Sequence, residues 1–174
     1  DRTNELYKSL HQLSDKLLTS INFHTPKEIK NSFSIPLEDM SLNSPQNLMR
    51  VIHYPKLSGH EDKNAIRAAA HQDINLITLL LVSKEPGLQV LTKDDKWISV
   101  PYMANNIVIN TGDMLQECSK GYFPSTTHRV INPQESENVS RYSMPFFVHP
   151  RDEVVLSDHY TASSYLEERL KEIG

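Results

Sequence analysis

Leu6, Leu10, Leu13, Leu17 and Ile21 recur at intervals of four, three, four and four residues, which places them on one face of a helix. Glu5, Lys8, Gln12 and Lys16 occupy the other side. The opening segment therefore predicts an amphipathic helix laid on a core. Pro26, Pro36 and Pro45 then predict a loop-rich passage over about residues 23–47.

From Leu48 to Val148 the pattern becomes that of strands. Runs rich in β-branched and aromatic residues at Met49–Tyr54, Ile66–His71, Leu76–Ser83, Leu88–Leu91, Trp97–Val100, Asn106–Asn110, Thr126–Ile131 and Arg141–Val148 predict eight of them. Pro55, Ser58-Gly59, Glu85-Pro86-Gly87, Lys93-Asp94-Asp95, Thr111-Gly112-Asp113 and Asn132-Pro133 supply the turns between. With no long helix intervening, this order suits a sandwich or jelly-roll barrel better than a parallel α/β sheet. Beyond Pro150 the text turns helical over Ala162–Ile173, with Thr161 as its N-cap. The expectation is a mainly β protein with flanking helices: an N-terminal helix and loop at 1–47, a β core at 48–150 and a C-terminal helix at 151–174.

Composition narrows the function classes. A chain of 174 residues with 38% apolar and 23% charged residues buries about 70% of its unfolded surface, enough for one core. A net charge of −4 supplies no broad positive field for nucleic acid. The longest apolar run, Leu76 to Val82, is broken by Thr78 and is too short to cross a membrane. A lone cysteine, Cys118, makes neither an intramolecular disulfide nor a cysteine-cluster zinc site, and no base beside it marks a nucleophile. It agrees with a reducing, cytoplasmic setting. Residues 1–20 lack the apolar stretch of a secretory signal, and the chain opens on Asp1, which leaves room for a preceding segment. The sequence sets no oligomeric state.

Candidate chemistry begins at His71-Gln72-Asp73. Side chains two apart on a strand share a face, so an imidazole and a carboxylate can converge there. Both are suitable ligands for a divalent first-row metal. His-x-Asp alone arises often by chance, but His128 lies on a second predicted strand. Two histidines and one carboxylate on one side of a metal leave positions open, as non-haem Fe(II) requires. Arg141 and Ser143 again share a strand face, where a guanidinium and a hydroxyl can grip one carboxylate. An incoming dicarboxylate would satisfy the arginine.

In this order and spacing, His71-x-Asp73, His128 and Arg141-x-Ser143 resemble the Fe(II)/2-oxoglutarate-dependent dioxygenases, and within them the isopenicillin N synthase-like branch with its bacterial-type iron/ascorbate oxidoreductases. The resemblance extends through Ala70-His71-Gln72-Asp73-Ile74-Asn75-Leu76-Ile77-Thr78-Leu79-Leu80, Pro86-Gly87-Leu88-Gln89-Val90, Trp97-Ile98-Ser99-Val100-Pro101, Asn110-Thr111-Gly112-Asp113-Met114-Leu115, Ser125-Thr126-Thr127-His128-Arg129-Val130 and Arg141-Tyr142-Ser143-Met144-Pro145-Phe146-Phe147. It covers roughly residues 48–150, and Tyr160-Thr161-Ala162-Ser163-Ser164-Tyr165-Leu166 is similar to bacterial members.

The resemblance implies a double-stranded β-helix (jelly-roll, cupin-like) barrel. It implies Fe(II) held by His71, Asp73 and His128, and 2-oxoglutarate held at its distal carboxylate by Arg141 and Ser143. Tyr54 matches the tyrosine of the plant Asn-x-Tyr motif, with Ile52 standing where the plant pattern has asparagine. It further implies that a small-molecule substrate is hydroxylated or desaturated with O₂, releasing succinate and CO₂, with ascorbate as an accessory reductant. Two alternatives stay open: an isopenicillin N synthase-like oxidase that uses no 2-oxoglutarate, and a non-catalytic metal-binding barrel. Members of this branch usually carry an N-terminal region ahead of the first helix seen here.

The remaining conspicuous residues receive structural readings. His53 should face away from Tyr54, and His11, His24, His60, His149 and His159 should be surface or capping residues. Gly112 reads as a turn and Asp113 as the N-cap of a helix that turns Met114 and Leu115 to the core. Trp97 and Phe146 read as core aromatics. Asn75 and Leu88 border a pocket or simply pack.

Overall fold

The structure is a computed structural model that describes residues 1–81, 83–134 and 138–173. Val82, part of the predicted Leu76–Ser83 run, and Gly174, part of the predicted C-terminal segment, lie outside the described residues.

The first helix, α1, spans Arg2–His24, with the Asp1 carboxylate accepting from the Thr3 N–H at 3.1 Å. Its buried centre line is Leu10, Ser14 and Leu18, one residue every four, while Leu6, Leu13, Leu17 and Ile21 flank it and are partly buried. The face is thus rotated toward Leu18 relative to the predicted stripe. Ser14 is tolerated there because its hydroxyl donates to the His11 carbonyl at 2.7 Å. The passage expected to be loop contains two short helices, α2 at Lys27–Lys30 and α3 at Leu37–Ser41. Pro26 and Pro36 stand immediately before them, where the missing N–H costs nothing.

Among the described residues nine strands replace the eight predicted. The Met49–Tyr54 run divides into β1 (Leu48–Met49) and β2 (Ile52–Tyr54), which lie end to end along one edge of the long strand Arg141–Val148 (β9, since six others intervene). The break has a cause on the partner. Arg50 donates its N–H to the Pro145 carbonyl at 3.0 Å, but proline has no N–H to return. The intervening strands are β3 (Ala68–His71), β4 (Ile77–Leu81), β5 (Leu88–Leu91), β6 (Trp97–Ser99), β7 (Ile107–Thr111) and β8 (His128–Val130). One sheet runs β1-β9-β4-β7 with β2 also on β9, the other β3-β8-β5-β6, and every ladder is antiparallel. The mainly β jelly-roll with flanking helices is the expected class. Among the described residues no strand pairs across the two sheets, so the barrel is open rather than closed.

Helix α4 (Asp113–Cys118) starts one residue earlier than expected: Gly112 is the N-cap and Asp113 is already helical. A side chain at 112 could not fit, because a Cβ there would sit 2.2 Å from the Asn75 carbonyl oxygen. Helix α5 (Ala162–Ile173) is capped as predicted, with Ser164 N–H donating to Thr161 Oγ1 at 3.3 Å and Thr161 N–H to Ser164 Oγ at 3.0 Å.

The apolar core lies on the outer face of the larger sheet. Leu10 and Leu18 of α1, Leu37 and Met40 of α3, and Met114 and Leu115 of α4 pack with Leu79, Phe146 and Val148. Tyr7 meets the Phe146 ring edge-on at 5.3 Å. Phe146 is the core aromatic expected. Trp97 is not: it is only partly buried, with the Arg129 guanidinium 4.0 Å over its ring. With the main core outside, the space between the sheets is left for a cavity.

Candidate functional site

Alternation decides which side chains enter that space, except in β3, where a register shift between Ala68 and His71 lets both face it. From β9 they are Arg141, Ser143, Pro145 and Phe147; from β2, Ile52 and Tyr54; from β4, Thr78 and Leu80; from β7, Val108 and Asn110; and from the facing sheet, Ala68, His71, Leu88, Val90, His128 and Val130. Together with Asp73 they enclose about 80 Å³. All six residues singled out as candidates line this one cavity: His71, Asp73, His128, Arg141, Ser143 and Tyr54.

Three of them meet at one end. His71 and His128 are directly opposite each other in the β3–β8 ladder, and their ring centroids are 4.3 Å apart. Asp73 follows β3, and its Oδ1 lies 3.8 Å from His128 Nε2. One ligand atom from each of the three falls within 4.8 Å of the others. Backbone carbonyls set the tautomers. His71 Nδ1 is 2.7 Å from the Ala69 carbonyl oxygen, and His128 Nδ1 is 2.9 Å from that of Thr126. A carbonyl only accepts, so in the neutral imidazole Nδ1 is the nitrogen that carries the proton and Nε2 the one with the lone pair.

The carboxylate is oriented as firmly. Asp73 Oδ2 accepts from Thr78 Oγ1 at 2.6 Å and from Asn110 Nδ2 at 2.8 Å, which leaves Oδ1 for the histidines. Behind Thr78, the buried Asn75 amide donates to Thr78 Oγ1 at 2.9 Å and to the Ile77 carbonyl at 3.1 Å. Three neutral or anionic donor atoms with their opposite ends fixed form a fitting set for a divalent first-row metal. Thr78 and Asn110 escaped the sequence reading. The available signal was a hydroxyl inside the apolar Leu76–Leu81 run.

At the other end Arg141 is 2% exposed. Its Nη1 donates to the Pro86 carbonyl at 3.1 Å, and its Nε is buried without a partner. Burial is the main force pulling its pKa below the ordinary value; Tyr54 opposes this, Arg67 adds to it, and Glu85 opposes it weakly. A buried guanidinium with an open N–H is matched to an arriving carboxylate. Cross-strand pairing sets the surroundings, since Tyr54 faces Arg141 and Ile52 faces Ser143. The Tyr54 ring lies 6.0 Å from the guanidinium carbon. Ile52 therefore presents an alkyl surface where the plant pattern has an amide. Gly87, at φ +128°, brings the Pro86 turn close; a Cβ there would lie 2.9 Å from the Ile131 carbonyl and 3.4 Å from Arg141 Nη1.

His53 faces out and stacks on Tyr142 at 4.6 Å. His24, His60 and His159 are exposed. His11 and His149 are more enclosed than the surface reading expects, each only partly exposed. His11 is partly buried between Asp15 and Asn47, and burial pulls the His149 pKa below its ordinary value. Their neighbours come from distant segments, which spacing cannot reveal. Leu88 lines the cavity, whereas Asn75 supports Thr78 from behind. Cys118 is buried, its thiol pushed up to about 12 by desolvation, as suits a packed thiol.

A model of the 2OG-Fe(II) oxygenase superfamily matches residues 45–150. A crystal structure assigned as an oxygenase from Shewanella oneidensis is 54% identical, with a TM-score of 0.90 over 99% of this chain and 64% of its own. Gibberellin 3-beta-dioxygenase 2 of Arabidopsis thaliana is 34% identical over 112 residues, which are 64% of this chain and 31% of that protein. A full-length Neurospora crassa protein, solved with alpha-KG and 5-formyluracil, is 25% identical, with a TM-score of 0.78 over 98% of this chain and 59% of its own. The chain thus spans less than two thirds of the length of each of these relatives.

Proposed function

The chain belongs to the 2OG-Fe(II) oxygenase superfamily, and from that premise we propose that it oxidises a small molecule using Fe(II), 2-oxoglutarate and O₂. Residues 48–150 are the catalytic core in this reading. Fe(II) is held by His71, Asp73 and His128, and the distal carboxylate of 2-oxoglutarate by Arg141 and Ser143 with Tyr54 beside them. The observation that carries it is the pairing of two unsatisfied ends in one cavity: three converging donor atoms and, across the sheet space, a buried arginine with an open Nε. The Neurospora crassa structure that contains alpha-KG supports the cosubstrate.

When bound, the iron supplies O₂ activation coupled to decarboxylation of 2-oxoglutarate to succinate and CO₂, with hydroxylation or desaturation of the substrate. The protein's own part is positional. Carbonyls of Ala69 and Thr126 aim the two imidazoles, and Thr78 and Asn110 aim the carboxylate. Arg141 neutralises the far charge of the cosubstrate. Ile52, Leu80, Val90, Val108 and Phe147 wall the cavity with hydrocarbon, which excludes water and strengthens every charge interaction inside. The contiguous Arg141-Tyr142-Ser143 text favours the isopenicillin N synthase-like branch, and the lone buried thiol favours the cytoplasm. Among the described residues, no helix is long and apolar enough to cross a membrane.

The test is an anaerobic titration of the Fe(II)-loaded protein with 2-oxoglutarate, read as the visible metal-to-ligand charge-transfer band. A saturable band that disappears in His128→Ala is the expected result. Bound iron without a band would replace this reading by the oxidase that uses no 2-oxoglutarate, or by a non-catalytic barrel.

A further inference from the structure

His71 borders two cavities. One is the intersheet space that contains Arg141. The other is wider, about 340 Å³, and is bounded by Gln72, Asp113, Thr127, Arg169 and Glu172. Helix α5 supplies Arg169 and Glu172 and so brings the end of the chain to the rim beside His71, the one proposed metal ligand that borders both cavities.

The charges of this second cavity are arranged unlike those of the first. Asp113 is 2% exposed. Its Oδ2 accepts from Arg169 Nη2 at 3.3 Å, while its Oδ1 is buried and has no partner. Arg169 is already engaged twice, since its Nη1 also donates to Glu172 Oε2 at 2.6 Å. Two carboxylates surround one guanidinium, so the rim is net negative and its one cation is occupied. A buried carboxylate oxygen without a donor is unfavourable until an N–H or O–H reaches it. A carboxylate arriving here would meet repulsion and no open cation, whereas Arg141 offers one on the other side of His71.

We propose that this cavity is the subsite for the oxidised substrate, and that it takes a small molecule through an N–H donor of the amide, amidine or ammonium class directed at Asp113. Glu172 sets the charge preference, and Arg169 is a positioning residue that holds Asp113. The inference rests on the reading of His71, Asp73 and His128 as metal ligands. It assigns a physical division of labour: the carboxylate cosubstrate is drawn to the arginine side and repelled from the substrate side, so neither molecule blocks the other.

The experiment uses Mn(II) as the paramagnetic stand-in, saturating 2-oxoglutarate, and acetamidinium, acetamide and acetate as probes of one shape and three charge and donor patterns. Metal-induced relaxation of each methyl proton signal is compared in wild type, Glu172→Gln and Glu172→Lys. Glu172 is exposed in the last turn of α5, so both variants should fold. In wild type, acetamidinium is relaxed most and acetate least. In Glu172→Lys, acetamidinium relaxation falls about threefold or more and acetate relaxation rises, as reversal of an exposed charge allows, with Glu172→Gln between. The same ranking and size in all three proteins would overturn the proposal, as would a wild-type preference for acetate. The 2-oxoglutarate methylene protons in the same samples report the underlying reading. If they are relaxed and the probes do not respond to Glu172, only the subsite fails; if they are unrelaxed with Mn(II) bound, the cosubstrate reading fails and takes the subsite with it.

Discussion

Replacing Thr78 by valine removes one hydroxyl and preserves the shape of the side chain. The hydroxyl is 2.6 Å from Asp73 Oδ2, and Thr78 is buried, so water cannot take its place. A hydrogen bond to an ionised group contributes about 1.5–3 kcal/mol, and losing a group that orients a metal ligand typically costs about 10–100-fold in metal affinity. The two figures agree, since tenfold is about 1.4 kcal/mol. Asn110 still donates to the same oxygen, which places the expectation nearer tenfold than a hundredfold. The metal-free protein should also lose about 1 kcal/mol, because the Asn75 amide keeps the Ile77 carbonyl but loses Thr78. Anaerobic calorimetric titration with Fe(II) measures the first effect and urea denaturation without metal the second. Metal affinity within twofold of wild type in a folded Thr78→Val protein would refute the argument that this hydroxyl orients Asp73. Combining it with Asn110→Leu removes both donors, and the double variant should lose more than the sum of the singles.

Arg141→Met should weaken 2-oxoglutarate binding by at least about thirtyfold while metal affinity holds. The metal-free protein should be no less stable, because a buried guanidinium without a carboxylate is a desolvation cost; parallel cosubstrate titration and denaturation check both. Gly112→Ala should destabilise the fold by about 3 kcal/mol or more, since its Cβ would stand 2.2 Å from one Asn75 oxygen and 2.4 Å from the other; an unchanged urea midpoint would contradict this. Burial raises the Cys118 pKa from 9.0 to about 12, so the unfolded chain releases that proton first and stability falls as pH rises from about 9 toward 12. Between pH 8 and 10 wild type should lose about 1 kcal/mol more than Cys118→Ala, and equal losses would show that the thiol is not linked to folding.

Strand periodicity was legible because the long strand β9 alternates faithfully: Arg141, Ser143 and Pro145 turn inward while Phe146 and Val148 turn outward. The errors have non-local causes. The division of β1 from β2 comes from Pro145, far along the chain. Helices α2 and α3 are four and five residues long, too short to display a period. The rotated face of α1 was hidden because Ser14, at its buried centre, is polar. That the six candidate residues would line one cavity was legible because residue types suited to a ligand set and a carboxylate grip recur on predicted strands. Their supports were not. Thr78 and Asn110 are directly opposite each other in the β4–β7 ladder, and only that register delivers two donors to one oxygen of Asp73.

Strand β9 joins stability to the site. Its outward residues Phe146 and Val148 are fully buried under helices of the apolar core, while its inward Arg141 and Ser143 are buried in the cavity. Burying an unpaired guanidinium is unfavourable on its own, so the driving force for placing β9 must come from its other face. Period-2 geometry couples the two: a one-residue slip would send Arg141 and Ser143 outward and move Phe146 into the cavity. The ladder to β4, from Ile77 opposite Val148 to Leu81 opposite Met144, prevents that slip and sets Thr78 beside Asp73 at the same time. The hydrophobic packing of α1 on the outer face thereby holds Arg141 and Thr78 in register on the inner face, without the buried guanidinium having to stabilise the fold.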